Sequence, residues 1–338
     1  VGDLEELKWN PVDGKMYYVA SRKLIRQDAI TGTEELVYEW DLPYKSTSDG
    51  SFSADGRRLA MALFSPKNVA LGKPDEWFAS VIDIVDRKEL VRIPYRSPNG
   101  VDVSPSGRFL KVDNYYYEIS TGMQVGSTQA GHGGWAIDLD GRECFVSQHN
   151  SCGWIVAYFP DNKEHRYLQR MPGEDKTPGV AGIHVASDKR GYFKGWAMVS
   201  AYGGLSELGN DCYFLELKSQ KLPGVLHPSY GGDLTVWNKA TVANDYMPRI
   251  IRICDMQNDW AAYFSEGWAS VGSNHCIYAG SNWNKADNLE LYQIELTPEI
   301  LEAVGVTAWP KQYSFTGPGT FSTDLPNGSF KITVEKST

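Results

Sequence analysis

The sequence predicts an all-β chain folded as a β-propeller of four-stranded blades. Three observations carry this. A turn of the Asp-Gly type recurs after the same kind of short strand. A strongly apolar strand follows it each time. A further β-rich strand comes next, so that four strands return roughly every 40–50 residues, the spacing of propeller blades.

In chain order, the turn first occurs in KWNPVDG (8–14), before KMYYVAS. It returns in SFSADG (51–56) before RRLAMALF, in VDVSPSG (101–107) before RFLKVDN, and in AIDLDG (136–141) before RECFVSQ. Looser copies are HVASDKRG (184–191) before the GWAMVSAY run, and ASVGSN (269–274) before HCIYAGSNW. Glycine suits such turns because it tolerates a positive φ. The second strands RRLAMALF and GWAMVSAY are apolar on both faces and are expected to be buried between blades.

The third strands are KLIRQDAI (23–30), ASVIDIV (79–85), YYYEIS (115–120), WIVAYF (154–159), DCYFLELK (211–218) and LELYQIEL (289–296). Edge-like fourth strands follow some of them, as in EELVYEW (34–40) and KELVRIPY (88–95). A β-sandwich with several hairpins is the competing architecture, but it does not require the same turn after the same strand. Radial repetition also explains how so many strands avoid exposed edges.

Six repeats are clear. A seventh can be built from the tail, where FSTDLPNG (321–328) precedes SFKITVEKS. Alternatively the tail pairs with the first blade. The expected organisation is therefore a propeller over 1–300 and a closing segment or partial last blade over 301–338. Two segments interrupt the rhythm. Residues 219–247 are expected to protrude as an excursion on one face, with only LTVW (234–237) strand-like, because their His-Pro, Tyr-Gly-Gly-Asp and Asn-Asp combinations favour turns. Residues 297–312 open with Thr297-Pro298-Glu299, a helix-start signal.

Composition narrows the function. Of 338 residues 22% are charged, and the formal net charge of −9 argues against nucleic acid as a main partner. No apolar stretch reaches the roughly 18 residues of a membrane helix. The aromatic content, with 11 Trp, 19 Tyr and 12 Phe, argues against disorder. None of the five cysteines forms a C-x-x-C pair, so a zinc ribbon is not indicated, and Cys144 and Cys276 read as small buried hydrophobes. There is no G-x-S-x-G elbow, phosphate-binding loop or dinucleotide fingerprint.

Residues 130–296 carry a resemblance. The segments GHGGWAIDLDGRECFVSQ (131–148), GIHVASDKRGYFKGWAMVSAYGG (182–204), NDCYFLELK (210–218), PRIIRIC (248–254) and YFSEGWASVGSNHCIYAGSNWNKADNLELYQIEL (263–296) resemble the bacterial WD40-like and TolB-like propellers. More distantly, they are similar to propeller-type lyases of uronate-containing polysaccharides. That resemblance implies a glycan-binding propeller, extracellular or periplasmic, with His and Tyr for β-elimination and a cation for the uronate carboxylate. The sequence departs from it at Asp255 and Trp268, which stand where such lyases often carry histidine. A metal site built from those histidines would be lost. No metal-ligand set is read from this sequence and no cofactor is expected, although a divalent metal fits the lyase resemblance.

The candidate catalytic residues are His132, His184, Tyr202 and Arg252. His132 lies in the glycine-rich GHGG, read as a loop, and His184 begins the next blade, so the two would approach each other near the central channel. Tyr202 could act as a base if a cation lowered its pKa, and Arg252 could grip a carboxylate with two parallel hydrogen bonds. His149, Tyr213 and Trp135 are the candidate binding residues, Trp135 through a stacking face for sugar. The expected partner is a polysaccharide. The alternative is a protein partner, for a non-catalytic module of a larger assembly such as a virion or surface structure.

Overall fold

The computed structural model describes residues 5–41, 45–65, 76–95, 100–128, 130–149, 154–170, 182–202, 211–218, 225, 228, 232–243, 249–256, 269–272, 275–281 and 290–306. Among them, six antiparallel sheets follow one another along the chain. The first blade holds β1 (Glu5–Trp9), β2 (Met16–Ala20), β3 (Lys23–Gln27) and β4 (Glu34–Glu39). The second holds β5 (Lys45–Phe52), β6 (Arg58–Ser65), β7 (Glu76–Asp83) and β8 (Lys88–Pro94). The third holds β9 (Val101–Val103), β10 (Phe109–Val112), β11 (Tyr115–Glu118) and β12 (Gln124–Ser127). The fourth holds β13 (Ala130–Ile137), β14 (Glu143–His149), β15 (Trp154–Phe159) and β16 (Glu164–Arg170). The fifth holds β17 (Gly182–Ala186), β18 (Trp196–Tyr202), β19 (Asp211–Glu216) and β20 (Ile250–Asp255). The sixth shows three described strands, β21 (Ala269–Val271), β22 (Cys276–Ser281) and β23 (Glu290–Glu295). The tail proposed as a seventh blade lies outside the described residues.

The sheets are arranged radially. First strands of successive blades lie side by side, β1 with β5, β5 with β9, β13 with β17 and β17 with β21. The apolar cores fall between consecutive blades. Tyr17, Leu24 and Trp40 of the first blade meet Phe52, Leu59 and Met61 of the second. Ala60, Val81 and Ile93 meet Val103, Leu110 and Val112. Phe109 and Tyr116 meet Trp135, Phe145 and Tyr158. Val146, Ile155 and Phe159 meet Val185, Val199 and Leu215. Met198, Cys212 and Phe214 meet Ile277 and Ala279. The second strands are buried as expected, with Met61, Leu63 and Val199 all 0% exposed. Each such side chain contributes roughly 1.5–3 kcal/mol by leaving water.

The repeated turn has one chemistry. A buried polar residue closes it: Asn10, Ser53, Ser104, Asp138 or Asp188. Its side chain accepts from backbone N–H groups further round the turn, as Ser53 does from Arg58 (3.0 Å), Ser104 from Phe109 (3.1 Å) and Asp138 from Arg142 (2.9 Å). Gly56, Gly107, Gly141 and Gly191 then take φ between 66° and 82°, which glycine adopts without strain. Neighbouring turns also bond to each other. Asn10 Nδ2 donates to Gly56 O at 2.8 Å, and Ala54 N donates to Pro105 O at 2.8 Å.

One side chain crosses the axis. Lys189, in the turn of the fifth blade, donates to Ser51 Oγ (2.6 Å) and Phe52 O (2.9 Å) of the second blade and to Asp102 Oδ1 (2.5 Å) of the third. Desolvation lowers its pKa, against the pull of Asp102. Ser187 extends the junction, accepting from Trp135 N at 3.1 Å.

The excursion after β19 differs from expectation. LTVW is not strand-like; it opens α1 (Leu234–Ala243). Asp233 caps the helix, accepting from Val236 N at 2.9 Å. Trp237 is fully buried against Trp154 and Val156, and Trp154 Nε1 donates to Asn238 Oδ1 at 2.8 Å. Capping and packing thus override the β preference of Thr235 and Val236. The helix packs on the fourth blade; residues 219–224, 226–227, 229–231 and 244–247 of the expected excursion lie outside the described residues. After β23, Thr297 caps α2 (Pro298–Ala303), its side chain accepting from Ile300 N, and Leu301 is buried.

Candidate functional site

The imidazoles of His132 and His184 meet, with ring centroids 4.9 Å apart and planes at 58°. They come from adjacent inner strands, His132 from the first half of β13 and His184 from the middle of β17. GHGG is not a loop but part of β13, with a register irregularity between Ala130 and Gly133 that accommodates His132. The glycines make room for backbone rather than ligand. A Cβ on Gly133 would lie 2.4 Å from Val146 O, and one on Gly134 would lie 2.4 Å from Val185 O. The bareness of Gly134 lets β17 approach β13 closely, which brings the two rings together, while that of Gly133 makes room for β14.

The two rings differ in environment. His132 is exposed and His184 is buried. Desolvation, reinforced by His132, moves the His184 pKa from 6.5 to about 3, so this imidazole is neutral at neutral pH. His184 pairs across the sheet with Ser200 on β18, whose buried Oγ has no hydrogen-bond partner among the described residues. Sequence reasoning missed Ser200; its register opposite His184 was the available signal.

His149 ends β14, opposite Ala130 of β13, so its backbone lies at the same end of the fourth blade as His132. It is half-buried, and desolvation lowers its pKa. Tyr202 ends β18 opposite Gly182, which places its backbone at the corresponding end of the fifth blade. Its side chain lies outside the described residues, as does the whole of Trp268.

The other candidates have structural employment. Trp135 is 0% exposed, wedged edge-on against Tyr116 and Phe145, so it offers no face to a sugar. Tyr213 is buried, donates to Gln169 Oε1 at 2.9 Å, and has its pKa raised by desolvation, the reverse of what a tyrosinate base needs. Arg252 sits on β20, three strands out from His184, and grips Asp211 through Nη2 to Oδ1 and Nε to Oδ2, both at 2.6 Å. The bidentate grip expected for a substrate carboxylate is thus spent on a neighbouring strand.

No protein-family model matches the sequence, and no curated protein matches it. Solved structures do. An oligogalacturonate lyase in complex with manganese superposes with a TM-score of 0.52 at 14% identity, over 87% of this chain and 77% of that one. An oligogalacturonate lyase from Vibrio parahaemolyticus gives 0.52 at 14% identity, over 85% and 76%. TolB from Acinetobacter baumannii aligns at 17% identity over 61% of this chain and 55% of that one, with a TM-score of 0.31. At such identities the likeness is one of fold: the chain is structurally similar to β-propellers, an architecture that hosts unrelated functions.

Proposed function

We propose that the protein binds a uronate-containing glycan at the imidazole-lined end of its inner strands, and that the imidazole pair serves β-elimination there. The observation carrying this reading is the contact between His132 and His184. The exposed imidazole of His132 can meet the substrate and exchange a proton with it, and the neutral imidazole of His184 can hydrogen-bond beside it. Elimination needs a base at the carbon next to the carboxyl, an acid at the leaving oxygen, and neutralisation of the carboxylate, whose charge grows as the proton leaves. The exposed His132 is the one placed for proton transfer, and the neutral His184 beside it can orient the substrate by hydrogen bonding. The manganese of the structurally similar lyase suggests a cation for the third. Among the described residues, no group of three or more His, Cys, Asp or Glu could hold a metal ion.

The second reading is a non-catalytic interaction module. It is supported by Arg252, the carboxylate-gripping residue expected from sequence, being committed to Asp211. Incubation with a panel of uronate polysaccharides, following the ultraviolet absorbance of the unsaturated product, separates the two. The lyase reading expects a signal that disappears in His132→Ala with the circular dichroism unchanged. Glycan binding without product would leave a binding propeller. Neither product nor binding on any uronate would leave the interaction module.

A further inference from the structure

We propose that Met198, Cys212 and Cys254 form a three-sulfur site for a soft monovalent cation, Cu(I), in the fifth blade. The residues come from three adjacent strands, β18, β19 and β20. Cys212 and Cys254 are direct partners across the sheet, and a register irregularity follows immediately between Cys212 and Tyr213. The Cys212 thiol donates to Met198 Sδ at 3.3 Å. The two thiols also hydrogen-bond to each other. Both cysteines are free.

Thiolate and thioether sulfur together select Cu(I) over the harder divalent ions, which prefer oxygen and nitrogen. Cys212 and Met198 are buried, 0% and 2% exposed, and Cys254 is half-buried, which gives an entry side. Binding releases two protons: Cu(I) plus two thiols gives a bis-thiolate cuprous complex with one negative charge and two protons to solvent. Met198 contributes a lone pair and nothing is oxidised or reduced. Arg252 is ion-paired with Asp211, and the carboxylates of Asp211 and Asp255 face the thiols, so the cation's own charge must offset theirs when the anion forms. The site is separate from the imidazole pair on the inner strands and does not depend on the glycan reading.

The test uses the full chain, reduced and anaerobic, competing with bicinchoninate for Cu(I). The wild type is expected to withdraw one equivalent, with a sulfur-only first shell by X-ray absorption at the copper edge. Cys254→Ser and Met198→Leu should each weaken retention beyond the roughly 10–100-fold that changes outside a ligand shell cost. Cys276→Ser, on another blade, should match the wild type. Met198→Leu keeps size and apolarity, so it remains informative if the serine variant fails to fold. Retention unchanged in Met198→Leu, or a first shell containing nitrogen or oxygen, overturns the proposal.

Discussion

Acid should destabilise this protein through His184, by an amount that can be worked out. In the unfolded chain the imidazole takes a proton near 6.5; in the native state it does so only near 3. Between those values the unfolded chain binds more protons, so native stability falls as pH falls. The side chain is 5% exposed, so solvent does little to screen the effect. At about 1.4 kcal/mol per pH unit, the penalty is about 2 kcal/mol at pH 5 and roughly 3 kcal/mol at pH 4. Other histidines with lowered pKa, His149, His165 and His275, push the same way, so the wild-type curve alone does not isolate His184. The decisive quantity is the difference between wild type and His184→Gln, from urea unfolding at pH 7, 6, 5 and 4. The wild-type advantage should shrink toward acid while the variant loses less. A difference that stays constant from pH 7 to 4 would refute the argument. His132→Gln supplies a control: removing the neighbouring imidazole should let His184 take its proton at a less acid pH.

Three further outcomes follow from packing. Gly134→Ala places a Cβ 2.4 Å from Val185 O and 2.9 Å from Ser187 N, both backbone, and should cost about 1–3 kcal/mol in denaturant unfolding while moving the imidazoles apart. Lys189→Met leaves Asp102 without its cation and should cost roughly 3–5 kcal/mol; pairing it with Asp102→Asn should recover part of that loss. Trp237→Ala removes the anchor of α1 on the fourth blade, so hydrogen exchange should quicken in α1 and leave β6 protected.

The blades were legible because their turns are local chemistry. Asp-Gly and Ser-Gly announce themselves, and the apolar second strands follow directly. The capping pair Thr297-Pro298 was readable for the same reason. The first turn of α1 was not, because Thr235 and Val236 favour strand until Trp154 and Val156 are brought to Trp237 from another blade. The meeting of His132 and His184 could be anticipated from blade-start positions. The occupations of Trp135, Tyr213 and Arg252 depend on partners distant in sequence or set by strand register, including Tyr116, Gln169 and Asp211, which no local pattern names. The pairing of Cys212 with Cys254 was hidden similarly, since the whole excursion lies between them in sequence.

The Lys189 crossing has a consequence for how the ring holds together. Its amine bonds to Ser51, Phe52 and Asp102, so the fifth blade is fastened to the second and third as well as to its neighbours in sequence. Parting the fifth blade from those two must first strip a mostly buried amine of its carboxylate partner, which ties the unfolding of the three blades into one cooperative event.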